Sequence, residues 1–355
     1  MNQNFQQINL NRLCYNCMEE KPYDYGPCPN CGYDNRNYQR GDNVLPPLTI
    51  LNGKYILGRS LGAGGFGITY VAKDVDLQRL VAIKEYFLKS VASRSRTISV
   101  SVPESSRAVF SQNKERFLQE ARTLAKLNDD ENGGVVGVLE HFEENDTAYI
   151  VMEFLKGETL QEIVKRNGPM PYEEVKLLMG PVGRSLDLVH RHKVVHLDVS
   201  PDNIMIQQKN GKAKLLDFGT AVTLSDCSRN RAAAFKRGYA PLEQYSGYGK
   251  VGPWTDVYAF AATIYYCLTG QKPIDAMERQ AGVPLIRPSA MGSDIPKRAE
   301  DALINAMNLE PVRRFDSLQA FWNAFEVSDN SKQKAAAVIG ASAAAGIVLG
   351  ILSAL

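Results

Sequence analysis

The sequence predicts an α+β fold of two lobes, a small β-rich lobe followed by a larger helical lobe, flanked by a cysteine-containing module and a hydrophobic helix. Short β-branched or aromatic runs, separated by Gly or Asp turns, occupy the first third of the central region. After Gly157, apolar residues recur at steps of three and four, which is the helical period. At the two ends, four cysteines lie between positions 14 and 31, and residues 335–355 contain no charged side chain.

The overall composition excludes several classes of protein. Of the 355 residues, 44% are hydrophobic and 23% are charged, which excludes wholesale disorder and collagen-like or coiled-coil structure. A net charge of +2 provides no general attraction to nucleic acid. Six cysteines are too few for a secreted disulfide scaffold. Residues 1–13 lack the apolar stretch of a secretory signal, so we expect synthesis in the cytosol.

Changes in composition divide the chain into four parts. Residues 1–45 have little aliphatic content and need a staple in order to fold. Residues 53–327 are well supplied with Val, Ile and Leu and form the predicted two-lobed domain. A polar linker over 328–334 leads to the predicted hydrophobic helix over 335–355.

Periodicity predicts the individual elements of the central domain. Strands are expected at 54–61, 68–73, 80–85, 135–142 and 148–153. Helices are expected at 114–127, 172–192 and 255–268, the last of them apolar on nearly every side and therefore buried. Residues 87–112 are rich in Ser and Arg and are expected to form an extra loop of the small lobe.

A glycine-rich stretch in the small lobe is the first sign of phosphate binding. Residues 61–70 read LGAGGFGITY, with glycines at Gly62, Gly64 and Gly67. Because glycine lacks Cβ, such a loop can bring its backbone N–H groups against phosphate oxygens. A dinucleotide-binding fold needs a helix directly after these glycines. Here a strand-like run follows, which argues against that fold.

Further motifs follow in an order that favours phosphoryl transfer. Lys84 ends the strand-like run VAIK, and Glu120 lies on the next predicted helix. The run HLDVSPDN contains Asp198 and, five residues on, Asn203, while Asp217 begins the run DFG. Phosphoryl transfer needs a flexible cover for the phosphates, a cation on them, oxygen ligands for Mg²⁺ and a carboxylate directed at the attacking hydroxyl. The chain contains all four in one order.

In these motifs residues 53–327 resemble a protein kinase domain of the bacterial Hanks type, related to eukaryotic serine/threonine kinases. The resemblance implies a bilobal kinase that uses ATP and Mg²⁺ to phosphorylate Ser or Thr hydroxyls of protein substrates. It implies that Lys84 holds the α- and β-phosphates while paired with Glu120. It also implies that three glycines cover the ATP phosphates: Gly62, Gly64 and Gly67.

The resemblance assigns the remaining catalytic roles to three residues. Asp198 would orient the substrate hydroxyl and accept its proton. Asn203 and Asp217 would ligate Mg²⁺. The alternative is a pseudokinase, a nucleotide-binding scaffold that signals by conformation or binding.

The resemblance also implies an adenine site at the junction of the two lobes. Glu153 and Leu155 bound the hinge that would hydrogen-bond adenine, and Ala82 would pack on the base. Thr69 occupies a position that is usually Val above the adenine, which is a modest change in polarity.

Two ion-pairing roles in the large lobe follow from the same resemblance. Glu243, in the run APLE, should pair with Arg314. Asp256, on the predicted buried helix, should support the catalytic loop.

The catalytic loop departs from the family pattern at two positions. Leu197 stands where kinases switched by loop phosphorylation usually carry Arg, and Leu cannot contact a phosphate group. Ser200 stands where serine/threonine kinases usually have a Lys that contacts the γ-phosphate. Serine has a hydroxyl and no charge, so part of the stabilisation of the transition state must come from elsewhere.

The N-terminal cysteines have the spacing of a zinc ribbon. Two C-x2-C pairs, separated by ten residues, place four thiolates for a tetrahedral ion: Cys14, Cys17, Cys28 and Cys31. A redox pair normally stands singly within a larger βα fold, and a cytosolic location disfavours disulfides. Cys227 and Cys267 are expected to be buried thiols.

The function of the zinc ribbon is expected to be protein docking or autoregulation. Residues 1–45 contain four basic and five acidic side chains, which does not favour binding to a phosphate backbone. A nucleic-acid module is the lesser alternative.

The hydrophobic C-terminal segment predicts a single membrane anchor. As a helix, residues 335–355 would be roughly 31 Å long, enough to cross the hydrocarbon core. Lys332 and Lys334 before it favour a kinase domain on the cytoplasmic side of the cytoplasmic membrane. Gly346 and Gly350 form a G-x-x-x-G pair that favours a homodimer. The alternative is an Ala-rich soluble helix that packs on the kinase domain.

Overall fold

The chain folds into a small β-rich lobe and a larger helical lobe, as the sequence predicts. The structure, a computed structural model, describes residues 8–65, 67–94, 97–125, 133–217, 222–223, 235–245 and 250–326. The predicted linker and hydrophobic helix, residues 328–355, and the thiol of Cys227 lie outside these residues.

The small lobe is built on one antiparallel sheet of six strands in the order β1-β2-β3-β4-β6-β5. Its strands are β1 (Ile50–Leu51), β2 (Tyr55–Ala63), β3 (Gly67–Asp74), β4 (Arg79–Tyr86), β5 (Val138–Glu144) and β6 (Thr147–Glu153). Each of the five predicted strands corresponds to one of β2 to β6, with ends that shift by up to three residues. Burial explains the agreement, because these short runs are rich in Val, Ile, Leu and Tyr, and most of β3, β4 and β6 is buried.

One helix, α1 (Arg107–Ala125), packs against this sheet and begins earlier than expected. The prediction of a loop through residue 112 is therefore wrong at its end, because residues 107–112 are helical. Phe110 lies in this first part of the helix, and its ring centroid is 4.8 Å from that of Tyr86 on β4. This long-range contact stabilises turns of helix whose local sequence is polar.

The large lobe contains most of the helices and three short strand pairs. In chain order its elements are β7 (Gly157–Thr159), α2 (Leu160–Asn167), α3 (Tyr172–Arg191), β8 (Val194–Val195), β9 (Ile204–Gln207), β10 (Ala213–Leu215), β11 (Val222–Thr223), α4 (Leu242–Tyr245), α5 (Pro253–Thr269), α6 (Ala276–Gln280), α7 (Lys297–Ala306) and α8 (Leu318–Phe325). The two helices predicted for this lobe correspond to α3 and α5 within two residues at each end.

Helix α5 forms the centre of the large lobe. Every residue from Thr255 to Thr269 is buried, as the uniformly apolar sequence predicts. Phe260 packs edge-on against Phe321 and Trp322 of α8 and closely approaches Gly183 of α3. The buried thiol of Cys267 belongs to the same core.

The N-terminal cysteine module packs on the outer side of strands β2 and β3. Leu13 and Met18 from the module are fully buried in one apolar cluster with Ile56, Val71 and Val75. A Cβ atom on Gly58 of β2 would lie 2.4 Å from the carbonyl oxygen of Tyr15, so only glycine permits this approach. The module is therefore stabilised by the kinase-like lobe as well as by its own cysteines.

Among the described residues, no helix combines the length and the apolar character that are needed to cross a membrane.

Candidate active site and metal centre

The loop between β8 and β9 holds two of the predicted catalytic residues, Asp198 and Asn203, and Asp256 of α5 fixes its backbone. The fully buried carboxylate of Asp256 accepts hydrogen bonds from the backbone N–H groups of His196 at 2.7 Å and Leu197 at 2.8 Å. His190 Nε2 lies 2.7 Å from the same carboxylate. The predicted support of the catalytic loop by Asp256 is confirmed.

This support is needed because Leu197 has a left-handed backbone, with a φ of 66°. A non-glycine residue adopts that conformation only at a cost, which neighbouring contacts must offset. The Leu197 carbonyl accepts a hydrogen bond from Gln244 Nε2 at 2.9 Å, and its side chain packs against Val195 and Val251. The side chain that replaces the family's arginine is thus part of an apolar cluster.

Asp198 and Asn203 contact each other directly. Asn203 Nδ2 donates to Asp198 Oδ2 at 2.8 Å and to the Asp198 carbonyl at 2.9 Å. Burial raises the pKa of the Asp198 carboxyl, although Lys236, His196 and Asn203 all act in the opposite direction. A carboxylate with a raised pKa is a better proton acceptor, which suits the predicted role of Asp198 as a base.

Lys84 and Asp217, predicted from motifs 133 residues apart, form an ion pair across the two lobes. Lys84 is on β4, and Asp217 follows β10. Leu216 N donates to the Asn203 carbonyl at 2.7 Å, which joins the segment of Asp217 to the catalytic loop. Glu120 lies on α1, but its side chain is outside the described part of the structure, so its pairing with Lys84 stays a prediction.

The donor set fits Mg²⁺. The side-chain nitrogen of Asn203 donates two hydrogen bonds to Asp198, so the side-chain oxygen of Asn203 is the atom that can bind a metal. Asp217 adds a carboxylate that is about half exposed. Both are hard oxygen ligands, and Mg²⁺ is usually held by one or two such protein groups together with substrate phosphates.

The hairpin of β2 and β3 places the three predicted glycines beside Lys84. Thr69 lies opposite Lys84 in the register of β3 and β4. Gly64 N donates to the Gly67 carbonyl at 2.9 Å, and among the described residues, apart from its two chain neighbours, none has an atom within 4 Å of a Cβ built on Gly62. The loop therefore has an open side on which phosphate oxygens can approach its backbone.

The predicted adenine site lies at the end of β6. Ala82 pairs with Met152 and is 9% exposed, so its methyl group borders the space between the lobes. The Glu153 side chain accepts a hydrogen bond from Gly137 N at 2.8 Å and contacts Lys214 of the large lobe. Leu155 follows on the half-buried hinge.

Lys236 is a residue of the site that sequence reasoning missed. Its Nζ lies 2.9 Å from Ser200 Oγ, 2.8 Å from Asp202 Oδ2 and 3.2 Å from Asp198 Oδ2. Nothing in the local sequence AFKRGYA marks this lysine. The one available signal is indirect, because a neutral Ser200 requires a cation from another part of the chain.

The predicted ion pair of the large lobe is confirmed. Arg314 Nη1 and Nη2 lie 2.7 and 3.0 Å from the two carboxylate oxygens of Glu243. Both side chains are buried, and Thr255 Oγ1 also donates to Glu243 at 3.0 Å. This two-point contact fixes α4 and, with it, the segment that holds Lys236.

The four N-terminal cysteines converge on one point, with all four sulfur atoms within 4.8 Å of one another. The closest sulfur distances are 3.5 Å for Cys14 to Cys31 and 3.7 Å for Cys17 to Cys28. Four sulfurs around tetrahedral zinc, at a Zn–S distance of about 2.3 Å, lie roughly 3.8 Å apart. The cluster therefore has the size that zinc requires.

The pKa shifts of the thiols differ among the four cysteines of the cluster. Burial raises the pKa of the Cys14 thiol to about 12. Burial also opposes ionisation of Cys31, but hydrogen bonds from the Tyr33 backbone and from the Asn16 side chain outweigh it and lower the pKa to about 7. At least one thiolate is thus accessible near neutral pH to begin metal binding.

Comparison with known proteins agrees with this geometry. Residues 55–321 match the family model of the protein kinase domain. The chain is 30% identical over 280 residues to serine/threonine-protein kinase D of Synechocystis sp., covering 76% of this chain and 51% of that protein. It is 28% identical over 278 residues to serine/threonine-protein kinase PrkC of Bacillus subtilis, covering 76% of this chain and 39% of that protein.

A solved structure shows the same fold. The structure described as the PpkA-294 apo form superposes with a TM-score of 0.67 at 30% identity, covering 80% of this chain and 100% of that chain. The chain spans about half or less of the length of the two curated relatives named above, so the match concerns their kinase domain.

Proposed function

Because the chain belongs to the protein kinase family, we propose that it transfers the γ-phosphoryl group of ATP to Ser or Thr hydroxyls of proteins. One observation carries the proposal: Lys84, Asp198, Asn203 and Asp217 come together at the junction of the lobes from three separate motifs. The relatives are named serine/threonine-protein kinases, which supports the choice of Ser and Thr.

The reaction forms one bond to phosphorus and breaks one, while a proton passes from the substrate hydroxyl to Asp198. The substrate hydroxyl oxygen attacks the γ-phosphorus, the bond from that phosphorus to the bridging oxygen breaks, and ADP leaves. Asp198 accepts the hydroxyl proton, and its raised pKa favours that transfer. Asn203 and Asp217 would hold Mg²⁺, whose charge neutralises the phosphate oxygens when it is bound.

Labelled ATP tests this function directly. We expect the purified full chain with Mg²⁺ to phosphorylate itself and generic Ser/Thr substrates, and Asp198→Ala to lose at least about 100-fold in rate. Equal, background-level transfer by the two proteins would contradict the proposal. If both then still bound ATP, the alternative of a nucleotide-binding scaffold would be supported.

We further propose that Cys14, Cys17, Cys28 and Cys31 bind one zinc ion. The sulfur distances and the fit to a tetrahedral S₄ site support this assignment. We expect metal analysis of the purified protein to find one zinc per chain and Cys28→Ser to lose most of it. Full zinc content in that variant would argue against this site.

The remaining proposal concerns location. We propose that residues 335–355 anchor the chain in the cytoplasmic membrane with the kinase domain on the cytoplasmic side, and that Gly346 and Gly350 bring two such helices together. The lack of charge in this segment and the preceding Lys332 and Lys334 support it. Fractionation without detergent tests the anchor, since recovery of the full chain in the supernatant would contradict it.

A further inference from the structure

Lys236 occupies a position where its charge bears on the reaction. Its ammonium group lies within 3.2 Å of the carboxylate of Asp198, the group that would receive the substrate proton. The same ammonium contacts Ser200, the neutral residue at the position where the family usually has a lysine. Lys236, which lies outside the catalytic loop, thus places a cation beside Ser200, which has no charge of its own.

The backbone around Lys236 is held by its own turn and by α4. The Lys236 carbonyl accepts hydrogen bonds from the N–H groups of Tyr239 and Ala240, both at 3.0 Å. The turn that results leads into α4, which the buried pair of Glu243 and Arg314 fixes. The ammonium group is therefore positioned before any substrate binds, as electrostatic stabilisation of a transition state requires.

One of the two carboxylate contacts of Lys236 can be exchanged for an anion. Lys236 faces two carboxylates, those of Asp198 and Asp202, and its side chain is 33% exposed. Asp202 is 38% exposed, so its contact with the ammonium can be exchanged for a phosphate oxygen at little cost. Lys84, a second cation of the site, pairs with Asp217 on the metal side.

We propose that Lys236 is a catalytic residue: its ammonium group contacts the transferring γ-phosphoryl group and replaces the cation that Ser200 does not provide. Ser200 and Asp198 hold the ammonium in place. No bond forms to the lysine, which balances the charge on the γ-phosphoryl oxygens while the proton goes to Asp198. This inference rests on the proposed kinase function.

A set of variants separates catalysis from support of the fold. Lys236→Met should lower kcat by about 100- to 1000-fold, as loss of one group that stabilises transition-state charge does, with the KM for ATP within a fewfold of wild type. Lys209→Met, at an exposed lysine in the turn between β9 and β10, should behave as wild type. A kcat of Lys236→Met within threefold of wild type would overturn the proposal.

Moving the charge provides a second test that a structural role would not pass. Lys236→Ser should be nearly inactive, and the double variant Ser200→Lys/Lys236→Ser should regain at least about tenfold in kcat. A double variant that is folded but no more active than Lys236→Ser would overturn the proposal. The kcat of wild type must also exceed that of Asp198→Ala. Equal kcat values for these two proteins would contradict the proposed kinase function itself and not only the role of Lys236.

Discussion

At the scale of single residues, His196 shows how the catalytic loop depends on protonation. Its ring is fully buried, and both nitrogens are used by a neutral imidazole. Nδ1 accepts from the Asp198 N–H at 3.2 Å, and Nε2 lies 3.2 Å from the Leu216 carbonyl, to which it can donate. Burial lowers the pKa of His196, although the carboxylates of Asp256 and Asp198 oppose the shift. A proton on Nδ1 would remove the hydrogen bond that holds Asp198.

We therefore expect the free energy of unfolding to fall as the pH drops below about 6.5. The unfolded chain takes up a proton on His196 near that pH, while the folded chain resists it. The slope from this one group is at most about 1.4 kcal/mol per pH unit. Urea unfolding at a series of pH values from 8 to 5 measures this slope. The free energy of unfolding of His196→Gln should depend less on pH than that of wild type. An equal slope in wild type and variant would contradict the prediction.

Ser200 and Leu197 show why a residue-by-residue comparison with a family can mislead. Each lacks the charge that the family has at its position, yet neither leaves a gap in the structure. Leu197 joins an apolar cluster, and Ser200 contacts Lys236. A substitution in a motif is therefore best judged with its spatial neighbours.

At the scale of elements, the segment between β4 and α1 is tied to the sheet by a buried ion pair. Arg94 contacts Glu85, whose carboxylate also accepts from Tyr70 Oη at 2.8 Å and Tyr149 Oη at 3.1 Å. Burial raises the pKa of Glu85, and Arg94 acts against that rise. The Ser- and Arg-rich loop expected in the small lobe thus contributes a buried charge, which pairs with Glu85 of β4.

Arg94→Leu should lower the free energy of unfolding by about 3–5 kcal/mol, because it leaves the carboxylate of Glu85 buried without its cation. The double variant Arg94→Leu/Glu85→Gln should lose less, since no buried charge remains. Arg107→Leu, in an exposed pair with Glu104, should change stability by less than about 0.5 kcal/mol. Chemical denaturation of the four proteins provides the comparison. A similar loss for Arg94→Leu and Arg107→Leu would show that the buried pair is not structural.

The contact between the cysteine module and β2 depends on one glycine. Gly58→Ala would place a methyl group against the Tyr15 carbonyl and the sulfur of Met18, at 2.4 and 2.6 Å. We expect a loss of about 1–3 kcal/mol in the free energy of unfolding from this overpacking. Gly41→Ala is the matched control, because its nearest contact, with Val44, is 3.4 Å away. Equal stability of the two variants would contradict the close docking of the module.

At the scale of the whole molecule, the cysteine module and the nucleotide site share a strand. Arg59 N donates to the Tyr15 carbonyl at 2.7 Å, and Arg59 Nε donates to Asn16 Oδ1 at 2.7 Å. Four residues further along β2 the chain reaches Ala63, at the start of the glycine turn. We therefore expect a change in the cysteine cluster to reach the glycine turn through this one continuous strand.

Removal of the metal should consequently affect both stability and nucleotide binding. If zinc occupies the cluster, we expect a strong chelator to lower the melting temperature by several degrees and to raise the KM for ATP by about five- to tenfold, at the low end of the usual range of coupling between sites. Readdition of zinc should reverse both changes. An unchanged KM with a lowered melting temperature would show that the module stabilises the lobe without affecting the loop.

Local features of this molecule could be predicted from the sequence, and long-range contacts could be predicted only where the resemblance to a kinase implies them, as for Glu243 and Arg314. The strands, helices α3 and α5, and the residues of the kinase motifs are encoded by short periodic runs and by fixed spacing. Three features depend on contacts between residues that are 9 to 44 positions apart in the chain. They are the burial of the Arg94 side chain, the packing of the cysteine module on β2 and the position of Lys236. No periodicity reports such contacts, because each requires the whole fold to be in place.

The contact between Lys236 and Ser200 also has an evolutionary consequence. One position provides the cation, and the other provides a small neutral side chain that makes room for it. A change at either position alone would leave the site with two lysines in repulsion or with none. Along a lineage of related chains, we therefore expect these two positions to be inherited as a unit and to be replaced together.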